Sequence, residues 1–458
     1  MAELVVVRPG AYHDSVTLMR ASRALAAASG VERAHVAMAT PLNLGLAEEM
    51  GFDVPAGAGP TDLLIAVSAA DPDAALAELD RLLTARTAST AESGRALPRT
   101  TAAAIRSRPD ANLALISCPG EHAFAEALDA VDAGLSVMIF SDNVSLAQEV
   151  ALKERAEGLV MGPDCGTAIV SGIGLGFANA ARRGPVGIVA ASGTGAQQVT
   201  CLLDAAGVGV SHVLGTGGRD LSAEVGARST LKAMAMLDAD PGTELVIVLS
   251  KTPDPLVAQA VEAAAAAMAT PVEIGFLGAD CPDLTAITEQ TLARLGVEIP
   301  EWTSWVAPAS PAAPRRGRLH GLYSGGTLCQ EAAYLASGLD AEFTDFGDDR
   351  YTRGRAHPMI DPTLRLARLS ELVKDPAAGA ILLDVVLGHG ADPDPAAAIG
   401  PALDEAAAAG LRVTVALIGT GDDPQGLDRQ ALALQRAGAA VFTSNAAAVR
   451  HARTLMEA

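Results

Sequence analysis

Short apolar runs alternate with helix-length amphipathic stretches along almost the whole chain. In the first part, Leu4–Val7, Ala34–Ala39 and Leu63–Val67 read as strands, while Ser15–Ala28, Leu42–Met50 and Pro72–Leu83 carry helical spacing. A polar Ser/Thr/Ala-rich stretch, Thr84 to Thr101, follows and predicts a linker. From Asn112 to Gly184, strands at Leu113–Ser117, Ser136–Phe140 and Gly158–Met161 are separated by helices at Glu121–Ala133 and Ser145–Glu157. Strands joined by helices of that length predict a parallel sheet.

A third unit opens with the strand Val186–Ala190, the turn Ser192-Gly193-Thr194-Gly195-Ala196 and a helix to Ala205. Val210–Leu214 then runs into Gly215-Thr216-Gly217-Gly218-Arg219-Asp220, with further strands at Leu245–Leu249 and Val272–Phe276. Val306 to Gly317 is a Pro/Ala linker ending in basic residues. Beyond it the order repeats. Arg318–Tyr323 leads to Ser324-Gly325-Gly326-Thr327 and a helix to Ala336, and Glu342–Asp345 to Phe346-Gly347-Asp348-Asp349. Ala380–Val386 leads to Gly388-His389-Gly390-Ala391-Asp392, and Arg412–Leu417 to Gly419-Thr420-Gly421. The shared order of strand, Ser-Gly turn, helix and strand predicts an internal duplication of a fold. The expected class is multidomain α/β, with domains at 1–88, 98–184, 185–305 and 317–458.

Composition narrows the function. Hydrophobic residues make up 50% of 458, so a sizeable core is available, and with 3% aromatics it must be aliphatic. The formal charge of −21 repels phosphate backbones and anionic lipid, which sets aside nucleic acid and membrane surfaces as partners. Five cysteines, none in a CxxC pair, predict neither a disulfide framework nor a metal site. The absence of a signal-like N-terminus and of any long apolar run predicts a cytoplasmic protein.

Candidate chemistry lies in the glycine turns. Ser192-Gly193-Thr194-Gly195 follows an apolar strand and opens a helix. Such a turn offers backbone N–H groups and the positive end of the macrodipole to an anion, and equally reads as a plain capped βα turn. Ser324-Gly325-Gly326-Thr327 repeats the device. Gly388 and Gly390 flank His389, a candidate acid, base or anion partner, or else a surface residue. Gly217, Gly218 and Arg219 end a strand at the edge where open α/β sheets bind ligands, and Arg219 either clamps an anion or pairs with Asp220. Cys165, in Met161-Gly162-Pro163-Asp164-Cys165-Gly166, has no activating neighbour and reads as a spectator thiol. No G-x-x-x-x-G-K-[ST] occurs, so a Walker-type ATP site is not expected.

The runs MGPDCGTAIVSG, VGIVAASGTGAQQV and VGVSHVLGTGGRDLSAEVG resemble the α subunit of succinyl-CoA synthetase over about residues 112–280. LYSGGTLCQE, EFTDFGDD and DVVLGHGADPDP, from about 318 onward, resemble the CoA-ligase domain of its β subunit. One chain carrying both behind a small N-terminal domain resembles the FdrA family. The resemblance implies a Rossmann-like CoA-binding-type domain followed by two flavodoxin-like domains. It also implies a phosphate held between two helix N-termini, here Ser192–Ala196 and Gly388–Asp392. From the residues themselves, Arg219 or Lys251 is expected to hold a second anion, with Gly217, Gly218, Ser324, Gly325 and Gly326 as further substrate-binding positions.

Two departures stand out. Glu273–Asp280 has no counterpart of the synthetase's phosphorylated histidine, and the first glycine-rich CoA loop is missing. These weigh against a phosphohistidine relay, CoA and ATP, and leave phosphate or carbamoyl phosphate as substrate with no certain cofactor. FdrA-like proteins imply oxamate carbamoyltransfer in purine and allantoin breakdown, with separate partner subunits. An acyl-CoA synthetase and a non-catalytic scaffold subunit are the alternatives.

Overall fold

A computed structural model describes residues 1–458 apart from 12, 14, 27, 56, 60, 88–97, 280, 307–314, 353–355 and 458. Much of both expected linkers, and Asp280, therefore lie outside the described residues.

Residues Met1–Arg99 make one compact unit. Its order is β1 (Ala2–Arg8), α1 (Ser15–Ala26), β2 (Val31–Met38), α2 (Pro41–Glu49), β3 (Leu63–Ala69) and α3 (Pro72–Thr87). The sheet is antiparallel, with β3 between β1 and β2. Every residue of β3 is buried because alternate side chains fill two cores. Leu63, Ile65 and Val67 meet Leu18, Leu25, Leu79 and Leu83 on one face, while Leu64 and Ala66 meet Ala47 and Phe52 on the other.

The second unit, Thr100–Thr352 with His357–Ala458, holds three sheets. It begins with α4 (Thr101–Ser107), β4 (Leu113–Ile116), α5 (Gly120–Asp132), β5 (Ser136–Ile139), α6 (Leu146–Arg155) and β6 (Val160–Met161). These strands pair in parallel in the order β4-β5-β6.

Next come β7 (Thr167–Val170), β8 (Ile173–Gly176), β9 (Arg183–Ala191), α7 (Gly193–Ala205), β10 (Val210–Gly215), α8 (Arg228–Asp238), β11 (Leu245–Ser250), α9 (Pro255–Ala267), β12 (Val272–Phe276) and α10 (Leu284–Arg294). The sheet order is β12-β11-β9-β10-β7-β8. The β7–β8 hairpin was not expected from the sequence. Its turn, Ser171-Gly172, has φ of 50° and 83°, the left-handed pair that a two-residue hairpin turn requires. The hairpin pairs with β10 through Ile169 and Val213, so it adds to this sheet although it precedes residue 184.

The last part runs β13 (Ser304–Trp305), β14 (Arg318–Tyr323), α11 (Gly326–Leu335), β15 (Ala341–Asp345), α12 (Asp349–Thr352), α13 (Thr363–Lys374), β16 (Ala378–Val386), α14 (Pro395–Ala408), β17 (Arg412–Ile418), α15 (Leu427–Arg436), β18 (Ala439–Phe442) and α16 (Asn445–Glu457). Its order is β13-β18-β17-β16-β14-β15, parallel except for β13.

The two six-stranded sheets share one apolar core. Val199 and Leu203 of α7 and Ile287 of α10 join Leu328 and Ala332 of α11 and Val449 of α16. Buried polar pairs cross the same seam and require a fixed register. Gln198 accepts from the Asn445 amide at 2.9 Å, Thr285 and Ser444 pair at 2.7 Å, and Glu331 accepts from the Leu284 amide at 2.6 Å. No described helix is long and apolar enough to cross a membrane.

Candidate functional site

The seam brings the N-terminal turn of α7 against that of α11. Ser192 caps α7: its Oγ accepts from the Gly195 amide at 3.0 Å and donates to Thr327 Oγ1, in the first turn of α11, at 2.7 Å. A Cβ on Gly325 would fall 2.5 Å from Thr194 Oγ1, so the two turns close on each other only because that position is glycine.

The α11 turn is fastened from behind by the next strand. Asp384 of β16, fully buried, accepts from the Ser324 amide at 2.7 Å, the Ser324 hydroxyl at 2.9 Å and the Gly325 amide at 2.8 Å. Arg365 of α13 balances that charge at 3.2 Å and donates to the carbonyls of Leu322 and Asp384. Helix geometry leaves the first-turn amides of both helices without intrahelical partners. Gly193 and Thr194 supply them from α7, Gly326 and Thr327 from α11.

Charged side chains flank this point. A Cβ on Gly326 would strike the Asp345 carboxylate and lie 2.8 Å from Lys251 Nζ, so both groups border the mouth of α11. Two converging helix N-termini and one ammonium make a site for a compact anion. Asp345 ends β15 and accepts from the Gly347 amide at 2.9 Å. Burial pushes its carboxyl up to about 6 against the opposing pull of Lys251. His357 Nε2 lies 2.9 Å from where a Cβ on Gly347 would sit, and burial drives that imidazole down to about 4.

Asp164 borders the same charges. It follows the cis Gly162–Pro163 bond at φ 55°, and its amide donates to Ser141 O at 3.0 Å. Its side chain is exposed to water although many protein atoms lie around it. That crowding, with Asp349 and Asp142 nearby, raises its carboxyl to about 7, while Lys251 and Arg219 oppose the rise.

The sequence-predicted residues fare unequally. Ser192, Gly193, Thr194, Gly195, Lys251 and Gly326 come together. Ser324 and Gly325 belong to the same turn, yet their amides are held by Asp384. In the Gly388–Asp392 turn, three amides already have protein acceptors. The Gly388 amide donates to Gln425 Oε1 at 3.0 Å, that of exposed His389 to Ala178 O at 2.8 Å, and that of Asp392 to Met359 O at 2.8 Å. Gly390 packs by the Phe177 ring, 3.0 Å from its would-be Cβ.

Arg219 is no free clamp either. It pairs with buried Glu149 at 2.9 Å and donates to Val144 O at 2.8 Å. Nor does it pair with Asp220, which meets Lys153 at 2.8 Å. Gly217, at φ 89°, lies on the Pro163 carbonyl, and Gly218 is 3.8 Å from Asp164 by its would-be Cβ. Cys165 is buried, with its Sγ donating to the Thr167 and Gly215 carbonyls, and burial lifts its thiol to about 12. Asp345, Asp384, Arg365 and Asp164 were given no role from the sequence, although the strand ends carrying Asp345 and Asp384 were visible.

Comparison with known proteins agrees with this architecture. Residues 322–455 match the CoA-ligase family model, and residues 1–99 match the model described as "AllF, heavy metal-associated domain". The class is thus an α/β protein with a CoA-ligase domain behind a small N-terminal domain. "Uncharacterized protein YahF" of Escherichia coli K12 is 36% identical over 97% of this chain and 97% of its own. The chain belongs to the same family as YahF.

The alpha-2 subunit of succinate–CoA ligase [ADP-forming], mitochondrial, of Trichomonas vaginalis is 30% identical over 31% of this chain and 48% of its own. The structure of a dinucleotide forming acetyl-coenzyme A synthetase 1 from Ca. Korarchaeum cryptofilum, in complex with phosphate and ADP, is 16% identical. It covers 76% of this chain and 84% of its own with a TM-score of 0.30.

The groups those names suggest can be tested against the residues. Residues 1–99 contain no cysteine, and no cluster of three or more His, Cys, Asp or Glu able to hold a metal occurs among the described residues. The soft thiolate donors that a heavy metal selects are missing, so the N-terminal unit does not fit one. The turn after β4 is also closed: a Cβ on Gly120 would strike Asp142 O and lie 2.9 Å from Asn143 C. It does not fit the open glycine loop that a CoA pyrophosphate takes.

Proposed function

We propose that this chain is an acyl-CoA-ligase-like enzyme that holds the phosphate of an acyl phosphate between the α7 and α11 turns. The observation that carries this reading is the Ser192–Thr327 contact, which sets two helix N-termini and Lys251 around one point. An incoming nucleophile bonds to the acyl carbon, the bond from that carbon to the bridging oxygen breaks, and phosphate leaves with the electron pair. Fixed N–H donors and Lys251 hold the phosphoryl oxygens and stabilise the charge that grows on the leaving group. The CoA-ligase match and the succinate–CoA ligase relatives support the class.

One observation favours a narrower reading. β12 and the residues after it, Val272–Ala279, contain no histidine to carry a phosphoryl group. Transfer without a phosphoenzyme suits an FdrA-type oxamate carbamoyltransferase subunit acting with partner subunits. There phosphate attacks the ureido carbonyl of oxalurate, giving carbamoyl phosphate and releasing oxamate.

Three tests separate these readings from each other and from a scaffold. A stable label on this chain from γ-phosphate-tagged ATP supports the CoA-ligase form. Carbamoyl phosphate formed from oxalurate and phosphate, with partner subunits present and no label, supports the carbamoyltransferase. If Ser192→Asp leaves the activity of the assembled complex intact, the site is not catalytic and the chain is a scaffold.

A further inference from the structure

The group that faces Lys251 across the mouth of α11 has no assigned task. Resting on the phosphate reading above, we propose that Asp345 is the catalytic acid–base group of the cradle, carrying a proton to and from the phosphate oxygens. The argument is one of position. Asp345 ends β15, next to β14, whose own end forms the Ser324-Gly325 turn. Its carboxylate borders Gly326, where an anion on the α11 amides would lie, and Nζ of Lys251, the residue after β11, borders the same glycine. The Gly347 amide pins one carboxylate oxygen at 2.9 Å, so the carboxyl is oriented and not a drifting surface charge.

A carboxylate at that place repels a dianion, whereas a carboxylic acid donates a hydrogen bond to it. Among the groups acting on Asp345, Lys251 favours its charged form, Asp384 and Asp348 disfavour it, and Arg365 and the Cys329 thiol also feel its charge. His357, alongside Gly347, stays neutral above about 4. With burial added, the carboxyl reaches about 6, where it takes up and gives back a proton near neutrality.

In acyl transfer the step balances. The acid form of Asp345 gives its proton to the bridging oxygen as the bond from the acyl carbon to that oxygen breaks, releasing hydrogen phosphate. The attacking thiol or amine bonds to the acyl carbon and loses its proton, which returns Asp345 to the acid form.

Sulfate tests this, because it stays a dianion across the useful range and so adds no titration of its own. The full-length protein is titrated calorimetrically with sulfate from pH 5 to pH 8. Wild-type affinity should fall roughly tenfold from pH 5 to pH 7 in a step centred near 6. Asp164, whose carboxyl is also raised but which no contact among the described residues places at the mouth of α11, is the control. Asp345→Asn, nearly isosteric, should remove the step near 6 and keep the affinity high, while Asp164→Asn should leave that step in place. Sulfate binding that lacks the step near 6, or keeps it in Asp345→Asn, overturns the role of Asp345 and spares the cradle. Absence of sulfate binding at every pH overturns both.

Discussion

Two glycine turns end neighbouring strands of one sheet, and they end differently. After β14, Ser324-Gly325-Gly326-Thr327 runs straight into α11 and meets Ser192 and Thr194 across the seam. After β16, Gly388-His389-Gly390 spends its first two amides on Gln425 and Ala178, and the next helix begins only at Pro395. Both look like anion-binding turns when glycine spacing alone is considered. What separates them is the bonding of the backbone N–H groups, which only tertiary partners decide.

The largest expected effect comes from cutting the fastening of the α11 turn. Asp384→Ala leaves Arg365 buried without its counter-charge and strips two amides of their acceptor. It should cost about 3–5 kcal/mol in denaturant unfolding, and anion binding should vanish with it. Asp384→Asn should cost less, and comparing the two separates charge from hydrogen bonding.

Next comes the turn itself. Gly326 has no positive φ, so Gly326→Ala suits the helix, but its methyl would meet the Asp345 carboxylate and Lys251 Nζ. Sulfate affinity should drop at least tenfold, with thermal stability little changed. Unchanged affinity would break the distinction between the turns.

A smaller effect should appear at the seam behind α11. Burial raises the Glu331 carboxyl to about 7. Its folded value lies above its unfolded one, so the native state binds that proton more tightly. The stability it contributes is complete below the ordinary carboxyl range and is lost as pH rises through about 7. Melting temperatures should therefore fall with rising pH across that window, and less steeply in Glu331→Gln.

The smallest effect belongs to the other turn. His389→Ala should leave sulfate affinity within about twofold and stability within about 0.5 kcal/mol, as for an exposed side chain outside any network.

Most of the architecture was legible in the sequence because hydrophobic period sets strands and helices directly. Leu245–Leu249 and Ala380–Val386, the latter interrupted only by Asp384, read as apolar strands and are buried throughout. The β7–β8 hairpin was missed because its two strands are only four residues each and the second is half glycine, its residues exposed or half-buried. Half of the cradle was legible too: Ser192 and Gly195 show cap spacing within four residues. The other half was expected at Gly388–Asp392, where three amides have protein acceptors, since Ser324 and Gly388 both follow apolar strands and precede small residues. Asp384 and Gln425 decide between them, from 60 and 37 residues away in sequence. Asp345 and Asp164 escaped notice because a carboxylate at a strand end or in a loop is ordinary until burial and neighbours set its proton affinity.

The central claim is that one anion is shared by amides from both helices. Crystals soaked in selenate and measured at the selenium edge test it most directly. The account predicts an anomalous peak within hydrogen-bond reach of the amides of Gly193 or Thr194 and of Gly326 or Thr327, beside Lys251. A peak at the Gly388–Gly390 turn, or none between α7 and α11, would contradict it.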